Sequence, residues 1–201
     1  MSRERLGVFG GTFDPPHIGH LILAAEACKQ LGLDCLLWVL TPVSPFKRDQ
    51  AITSLEHRLA MVQLAIADNP DFELSRLELD LPAPYYTVDT VQRLADENPS
   101  AKIILVIGGD SLRDLPRWHR PADLMSACHA IGVMRRPGDS VNPSALERQI
   151  PGTQAKVRFV DAPLLEISSS DIRRRIREKL SFRYYLSPAV YEYIRKNKLY
   201  R

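Results

Sequence analysis

The chain has 201 residues, 45% of them apolar, and a formal net charge of +3 at pH 7. This length and apolar content suit one globular domain with a sizeable core, and so small a charge gives no reason to expect a nucleic-acid partner. We expect neither a membrane span nor a signal peptide, because no apolar run approaches the ~20 residues that cross a bilayer. The three cysteines, Cys28, Cys35 and Cys128, are widely spaced in apolar contexts, which is typical of reduced thiols and favours a cytoplasmic protein.

The first predicted unit is a strand, a glycine turn and a helix. A short apolar run at residues 6–9 precedes the segment Gly-Gly-Thr-Phe-Asp-Pro-Pro-His-Ile-Gly-His at residues 10–20, and an apolar-periodic helix follows at residues 21–31, with Gly32 as its stop. The segment lacks the Gly-Lys-Ser/Thr of the P-loop and the third glycine of the dinucleotide fingerprint. It therefore indicates a different class of nucleotide site.

The chemistry of this segment favours phosphate. Adjacent glycines, Gly10 and Gly11, let the backbone turn tightly so that amide N–H groups face an anion at the helix N-terminus. His17 and His20 are three residues apart and fall on one face of the first helical turn, so both can reach the same phosphate. The plainer alternative is a helix cap with two surface histidines, which leaves the glycine pair and the histidine pair unrelated.

Strand and helix signals then alternate along the chain. Strands are predicted at residues 35–40, 72–79, 102–107 and 130–134. Helices are predicted from a capping box at residues 53–56 to about residue 68, and at residues 88–97 and 122–126. This alternation predicts βαβ units and a doubly wound, Rossmann-like parallel sheet of the α/β class. A loop with two prolines carries Lys47 near its tip, where an ordinary exposed lysine is the alternative.

The pattern in the last third of the chain predicts an edge strand at residues 157–160. We expect a single domain, in which a small C-terminal helical part of about residues 166–201 is attached to a core of about residues 1–165. Its Ile-Ser-Ser-Ser-Asp-Ile-Arg segment at residues 167–173 reads as a second anion-binding helix start. A serine cap alone is purely structural. Arg173 favours an anion, because the helix dipole disfavours a cation in the first turn. The basic run at residues 174–179 is more typical of a solvated face than of an RNA-binding patch.

Several motifs in this order resemble the bacterial nicotinate-nucleotide adenylyltransferases, members of the nucleotidyltransferase superfamily with a His-x-Gly-His motif. The resemblance covers nearly the whole chain and rests on residues 10–20, Lys47, residues 86–90, 108–111, 116–118, 135–138 and 167–173, and the ending with Tyr193-Ile194 and Leu199-Tyr200. The chain departs from the family pattern at Phe46, where histidine is usual, and at Tyr85, where serine is usual.

The resemblance implies a role for each matching residue. The residues that hold and neutralise the reacting phosphates are His17, His20, Lys47 and Arg173. The ATP-binding residues are Gly10, Gly11, Thr12, Gly108, Asp110, Ser169, Ser170 and Ile172. The residues that bind nicotinate mononucleotide are Thr87, Trp118 and Arg136. Core packing is the alternative for Trp118. Mg²⁺ is expected on the ATP phosphates with no dedicated protein site, and Asp14 is the nearest candidate for an indirect contact.

The implied reaction is adenylyl transfer from ATP to nicotinate mononucleotide in NAD synthesis, by direct in-line attack and without a covalent enzyme intermediate. ATP and the mononucleotide are the expected partners, with no nucleic acid and no membrane, and the sequence is compatible with a homo-oligomer. Two alternatives are a phosphopantetheine adenylyltransferase, which has no reason for the Tyr86-Thr87 and Pro116-Arg117-Trp118 segments, and a nucleotide-binding sensor without turnover.

Overall fold

The structure is a computed structural model that describes residues 3–43, 52–134, 142–163 and 165–201. Phe46, Lys47 and Arg136 lie outside the described residues. The described strands are β1 (Arg5–Gly11), β2 (Cys35–Leu40), β3 (Phe72–Ser75), β4 (Lys102–Gly108), β5 (Ala130–Met134) and β6 (Val157–Val160). The described α-helices are α1 (Ile18–Leu31), α2 (Leu55–Ile66), α3 (Thr87–Glu97), α4 (Gly109–Asp114), α5 (Pro121–Ala127), α6 (Pro143–Glu147), α7 (Thr153–Lys156), α8 (Ser169–Arg177) and α9 (Pro188–Lys196).

The described strands form one sheet in the order β3-β2-β1-β4-β5-β6, and every pair of neighbours is parallel. This is the doubly wound, Rossmann-like order that the alternating pattern predicts. The order reverses between β1 and β4, where Leu6 pairs with Ile103 and Val8 pairs with Leu105. Ligands of such sheets bind outside the carboxyl ends of the strands at this switch point, so the fold itself directs attention to the residues after β1 and β4.

Alternate residues of the strands face two hydrophobic clusters, one on each side of the sheet. Phe9 of β1 belongs to the first cluster, whereas its neighbour Val8 belongs to the second, as expected from the two-residue period of a strand. The C-terminal helical part contributes to the first cluster through Ile172, Val190 and Ile194. The last third of the chain therefore shares the core of the sheet. None of the helices formed by the described residues has the length and apolar character needed to cross a membrane.

Most predicted elements are confirmed, two are corrected, and three short helices are additions to the prediction. The glycine pair does not form a turn: Gly10 and Gly11 are the last residues of β1 and pair with Val39 and Leu40 of β2. Only after Gly11 does the chain leave the sheet, and residues 12–17 connect it to α1.

The strand predicted at residues 72–79 ends at Ser75, and a 3₁₀ turn at Leu77–Leu79 replaces its second half. The alternation is misleading there, because the polar residue Glu78 is the buried one: its carboxylate accepts a hydrogen bond from the Thr90 hydroxyl of α3 at 2.8 Å. Helix α4 is one addition, because its Gly-Asp-Ser start has turn composition, which predicts no helix. The short helices α6 and α7 were likewise not predicted.

Candidate active site

A cleft of about 1520 Å³ opens at the carboxyl ends of β1 and β4. It is lined by nearly all the described residues that the sequence singled out, namely Gly10, Gly11, Thr12, Asp14, His17, His20, Thr87, Gly108, Asp110, Trp118, Ser169, Ser170 and Arg173. These residues come from segments more than 150 positions apart, and the parallel sheet brings them together. Ile172 is not among the lining residues: its side chain is fully buried in the core, and its backbone N–H donates to the Ser168 carbonyl.

The end of β1 forms the floor of the cleft. A Cβ added at Gly10 would meet no protein atom within 4 Å, and the same is true at Gly108 at the end of β4. Each glycine therefore keeps space open where a ligand can approach the backbone closely. Gly11 is different, because a Cβ there would come within 2.8 Å of the buried Phe13 ring, and glycine at this position serves protein packing.

The N-terminus of α1 carries the two histidines. Their rings are stacked, with centroids 3.6 Å apart and planes inclined by 23°, so the predicted common face for His17 and His20 is confirmed. The backbone N–H of His17 donates to Nδ1 of His20 at 3.1 Å. Because that nitrogen accepts a hydrogen bond, the hydrogen of the neutral His20 ring is on Nε2. A Cβ at Gly19 would lie 3.1 Å from the His17 ring, so glycine gives the ring room.

The N-terminus of α8 lies against the connection between β1 and α1. Ser168 caps α8 by accepting the Asp171 backbone N–H at 3.0 Å, as the serine-rich segment predicts. The Ser169 hydroxyl donates to the Pro15 carbonyl at 2.8 Å, and Nη1 of Arg173 donates to the Asp14 carbonyl at 2.7 Å. The starts of α1 and α8 therefore meet at one edge of the cleft, where their dipoles favour bound anions.

The Asp14 carboxylate is turned into the protein. The residue is only 4% exposed; its Oδ1 accepts the Tyr200 hydroxyl at 2.6 Å and its Oδ2 accepts the Thr53 backbone N–H at 3.1 Å. Both oxygens thus have protein donors. Within the ranges that the structure describes, no group of three or more His, Cys, Asp or Glu side chains is arranged to hold a metal ion.

Aromatic side chains shape the other half of the cleft. Trp118 packs against the second hydrophobic cluster, as its core-packing alternative predicts, and its other side lines the cleft. Tyr86, just before α3, stacks on His119 with ring centroids 4.0 Å apart. Thr87 is the first residue of α3. Behind them, burial raises the pKa of the Glu78 carboxyl above its ordinary value of 4.5.

Comparison with known proteins agrees with this geometry. The cytidylyltransferase-like family matches residues 8–175. A protein of Thermomicrobium roseum named probable nicotinate-nucleotide adenylyltransferase is 42% identical over 198 residues, which are 98% of this chain and 92% of that protein. The nicotinate-nucleotide adenylyltransferase of Bacillus subtilis is 36% identical over 197 residues, 98% of both chains. In the solved structures, Plasmodium falciparum nicotinic acid mononucleotide adenylyltransferase complexed with NaAD shares the fold with a TM-score of 0.80 at 19% identity, covering 98% of this chain and 97% of that one.

Proposed function

The chain belongs to the nicotinate-nucleotide adenylyltransferase family within the cytidylyltransferase-like proteins, and from this premise we propose that it transfers AMP from ATP to nicotinate mononucleotide. The products are nicotinate adenine dinucleotide and pyrophosphate, in the biosynthesis of NAD. The observation that carries the proposal is the meeting of two helix starts, with His17, His20 and Arg173, at the carboxyl end of β1 in a cleft that continues to Thr87 and Trp118. One end suits a triphosphate and the other an aromatic ring.

The proposed reaction is a direct in-line displacement. A phosphate oxygen of the mononucleotide forms a bond to the α-phosphorus of ATP while the bond from that phosphorus to the pyrophosphate oxygen breaks. The nucleophile is already an anion, so no general base is required. Catalysis then consists of positioning and charge stabilisation, which His17, His20 and Arg173 supply, together with Lys47, which lies outside the described residues.

ATP is proposed to bind across the switch point. Gly10 leaves the backbone accessible to phosphate, Gly11 and Thr12 continue the lining of the cleft, and Ser169 and Ser170 face the same anion from α8. Gly108 and Asp110 stand at the end of β4 and the start of α4, where Asp110 also pairs with Arg113 at 3.3 Å, and the Asp110 carboxylate can accept ribose hydroxyls there. Bound Mg²⁺ would neutralise phosphate charge, held mainly by the phosphates themselves.

Nicotinate mononucleotide is proposed to bind at the aromatic end. Trp118 supplies a ring face for stacking on the pyridine ring, and Thr87 lies at the N-terminus of α3, where backbone N–H groups suit a carboxylate. Arg136, outside the described residues, is proposed to contact the mononucleotide phosphate. Tyr85 and the stacked pair Tyr86 and His119 extend the lining.

Pyrophosphate release with ATP and magnesium tests the proposal, with nicotinate mononucleotide, nicotinamide mononucleotide and phosphopantetheine offered in parallel. We expect turnover with the first, weaker turnover with the second and none with the third. Turnover with phosphopantetheine alone would replace the proposal by the alternative adenylyltransferase. Binding of ATP without pyrophosphate release from any acceptor would favour a sensor.

A further inference from the structure

A buried arginine holds together three segments at the rim of the phosphate end of the cleft. Arg58 lies on α2, is 2% exposed, and its guanidinium donates to four backbone carbonyl oxygens. Nε donates to Thr53 at 2.9 Å, Nη1 to Thr12 at 3.0 Å and to Thr41 at 2.9 Å, and Nη2 to Pro42 at 2.7 Å. Burial lowers the pKa of this guanidinium, while the nearby Asp14 charge opposes that effect.

The four carbonyls belong to the segments that surround the proposed phosphate site. Thr12 follows β1 and lines the cleft, Thr41 and Pro42 follow β2, and Thr53 lies two residues before the start of α2. A planar guanidinium with five N–H donors can join such separate carbonyls in one fixed arrangement, which a lysine ammonium cannot reproduce. Arg58 thus fixes the backbone at Thr12 relative to the loops after β2 and before α2.

A tyrosine from the other end of the chain completes the arrangement. The Tyr200 hydroxyl donates to Asp14, whose second carboxylate oxygen accepts the Thr53 backbone N–H. Burial and the Asp14 charge raise the pKa of Tyr200, so its hydroxyl keeps the hydrogen that it donates. Arg173 binds the Asp14 carbonyl. The segment from Thr12 to Asp14 is therefore held at two points: Arg58 binds the Thr12 carbonyl, and Tyr200 binds the Asp14 carboxylate.

We propose that Arg58 and Tyr200 are positioning residues for adenylyl transfer, acting through the backbone of Thr12 and the carboxylate of Asp14 on the segment that holds the ATP phosphates. Neither residue lines the cleft in the part of the chain that the structure describes, so each acts through other groups. The inference rests on the proposed function. Small displacements of a phosphate-binding backbone reduce the rate of transfer more than they reduce ground-state binding.

The test compares Tyr200→Phe with Tyr193→Phe. Tyr193 is a matched control, because its hydroxyl also binds one side chain, His57 at 2.9 Å, on the same side of the molecule but away from the cleft. We expect Tyr200→Phe to melt at a lower temperature, since it leaves one oxygen of the buried Asp14 carboxylate without its donor. At temperatures where circular dichroism shows both variants folded, kcat should be about 10- to 100-fold lower for Tyr200→Phe alone, with KM for ATP changed much less. Equal kcat values for the two variants would overturn the proposal. So would a loss of kcat in Tyr200→Phe that merely follows a loss of folded protein.

Arg58→Lys provides a second, independent measurement. It keeps the positive charge but not the four carbonyl bonds, so kcat should fall at temperatures where circular dichroism shows the variant folded. A folded Arg58→Lys enzyme with wild-type kcat would overturn the role of Arg58. Failure of the proposed function gives a different result, since the unaltered protein would then release no pyrophosphate with nicotinate mononucleotide.

Discussion

The backbone at the start of α1 determines which ring nitrogen of His20 is a donor. Since Nδ1 accepts the His17 backbone N–H, the neutral His20 ring carries its hydrogen on Nε2, and in the proposed function that N–H donates to a phosphate oxygen. A donor that the protein holds in place before the substrate binds lowers the barrier more than a mobile surface contact does, where transition-state charge develops beside it.

His20→Ala should therefore lower kcat about 100- to 1000-fold, whereas the loss of its capping bond to His17 should cost only ~1 kcal/mol of stability. Pyrophosphate release and thermal melting measure the two effects separately. His57→Ala is the matched control, because His57 binds Tyr193 away from the cleft, and its kcat should stay near that of the unaltered enzyme. A His20→Ala enzyme with kcat within threefold of its parent would contradict the role.

The buried Glu78 carboxyl makes a prediction about pH. Its pKa is raised above 4.5 in the folded protein, so the folded state retains a proton that the unfolded state has released, and stability falls as the pH rises above 4.5 toward the folded pKa. Glu78→Gln removes this titration and keeps an oxygen that can accept from Thr90. We expect the melting temperature of the variant to exceed that of the parent more at pH 8 than at pH 5. The excess should grow by about 2–4 °C for each kcal/mol of unfolding free energy that the parent loses between the two pH values. An equal difference at both pH values would contradict the assignment.

At the scale of the element, the end of β1 offers a matched pair of glycines with different functions. A Cβ at Gly10 enters open space in the cleft, whereas a Cβ at Gly11 collides with the Phe13 ring. Gly10→Ala should leave the melting temperature unchanged and raise KM for ATP. Gly11→Ala should destabilise the protein by about 1–3 kcal/mol, because Phe13 is itself only 3% exposed and has no room to move. Thermal melting and the KM for ATP, measured on both variants, check these expectations. A destabilised Gly10→Ala protein beside a Gly11→Ala protein of unchanged stability would contradict the roles proposed for the two glycines.

The regular elements were predictable wherever one physical signal dominated. The bounds of β2 and β5 agree with the predicted runs, since both strands are covered on two faces and are continuously apolar. Gly32 ends α1 at φ 59°, in the left-handed conformation expected of a glycine stop. By contrast, α4 begins with residues of turn composition, and its stability comes from the burial of Leu112, a tertiary effect that no local pattern contains.

The site was predictable as a set of residues but not as an arrangement. The motif residues do gather in one cleft, because the parallel topology places the ends of β1 and β4 side by side. The sequence did not single out Arg58, and it named Tyr200 only as part of the ending that carries the resemblance, with no role in the site. A signal existed for Arg58, which stands between Leu55 and Val62 on the apolar face of α2, where a charged residue needs buried partners. Those partners are backbone carbonyls, which have no signature in the sequence.

At the scale of the whole molecule, the C-terminal part is joined to the sheet by both its core and its site contacts. Val190 and Ile194 of α9 belong to the same hydrophobic cluster as Phe9 of β1, and Tyr200 reaches Asp14 in the segment after β1. The described residues that hold the proposed phosphate site thus come from the range 10–58 and from the range 169–200. Such a site forms only when both parts are folded.

This joint core predicts that the helical part and the sheet unfold together. Ile194 is 1% exposed, so Ile194→Ala should destabilise the protein by about 2–5 kcal/mol, whereas Lys196→Ala on the exposed side of α9 should change stability by about 0.5 kcal/mol or less. The truncated side chain would leave a cavity in the core that α9 shares with β1. The Ile194→Ala protein should therefore still melt in one transition, at which the near-ultraviolet and far-ultraviolet circular dichroism signals change together. Pyrophosphate release should disappear over the same temperature range. A first transition that removes activity while most of the far-ultraviolet signal persists would show instead that α9 and its neighbours unfold separately from the sheet.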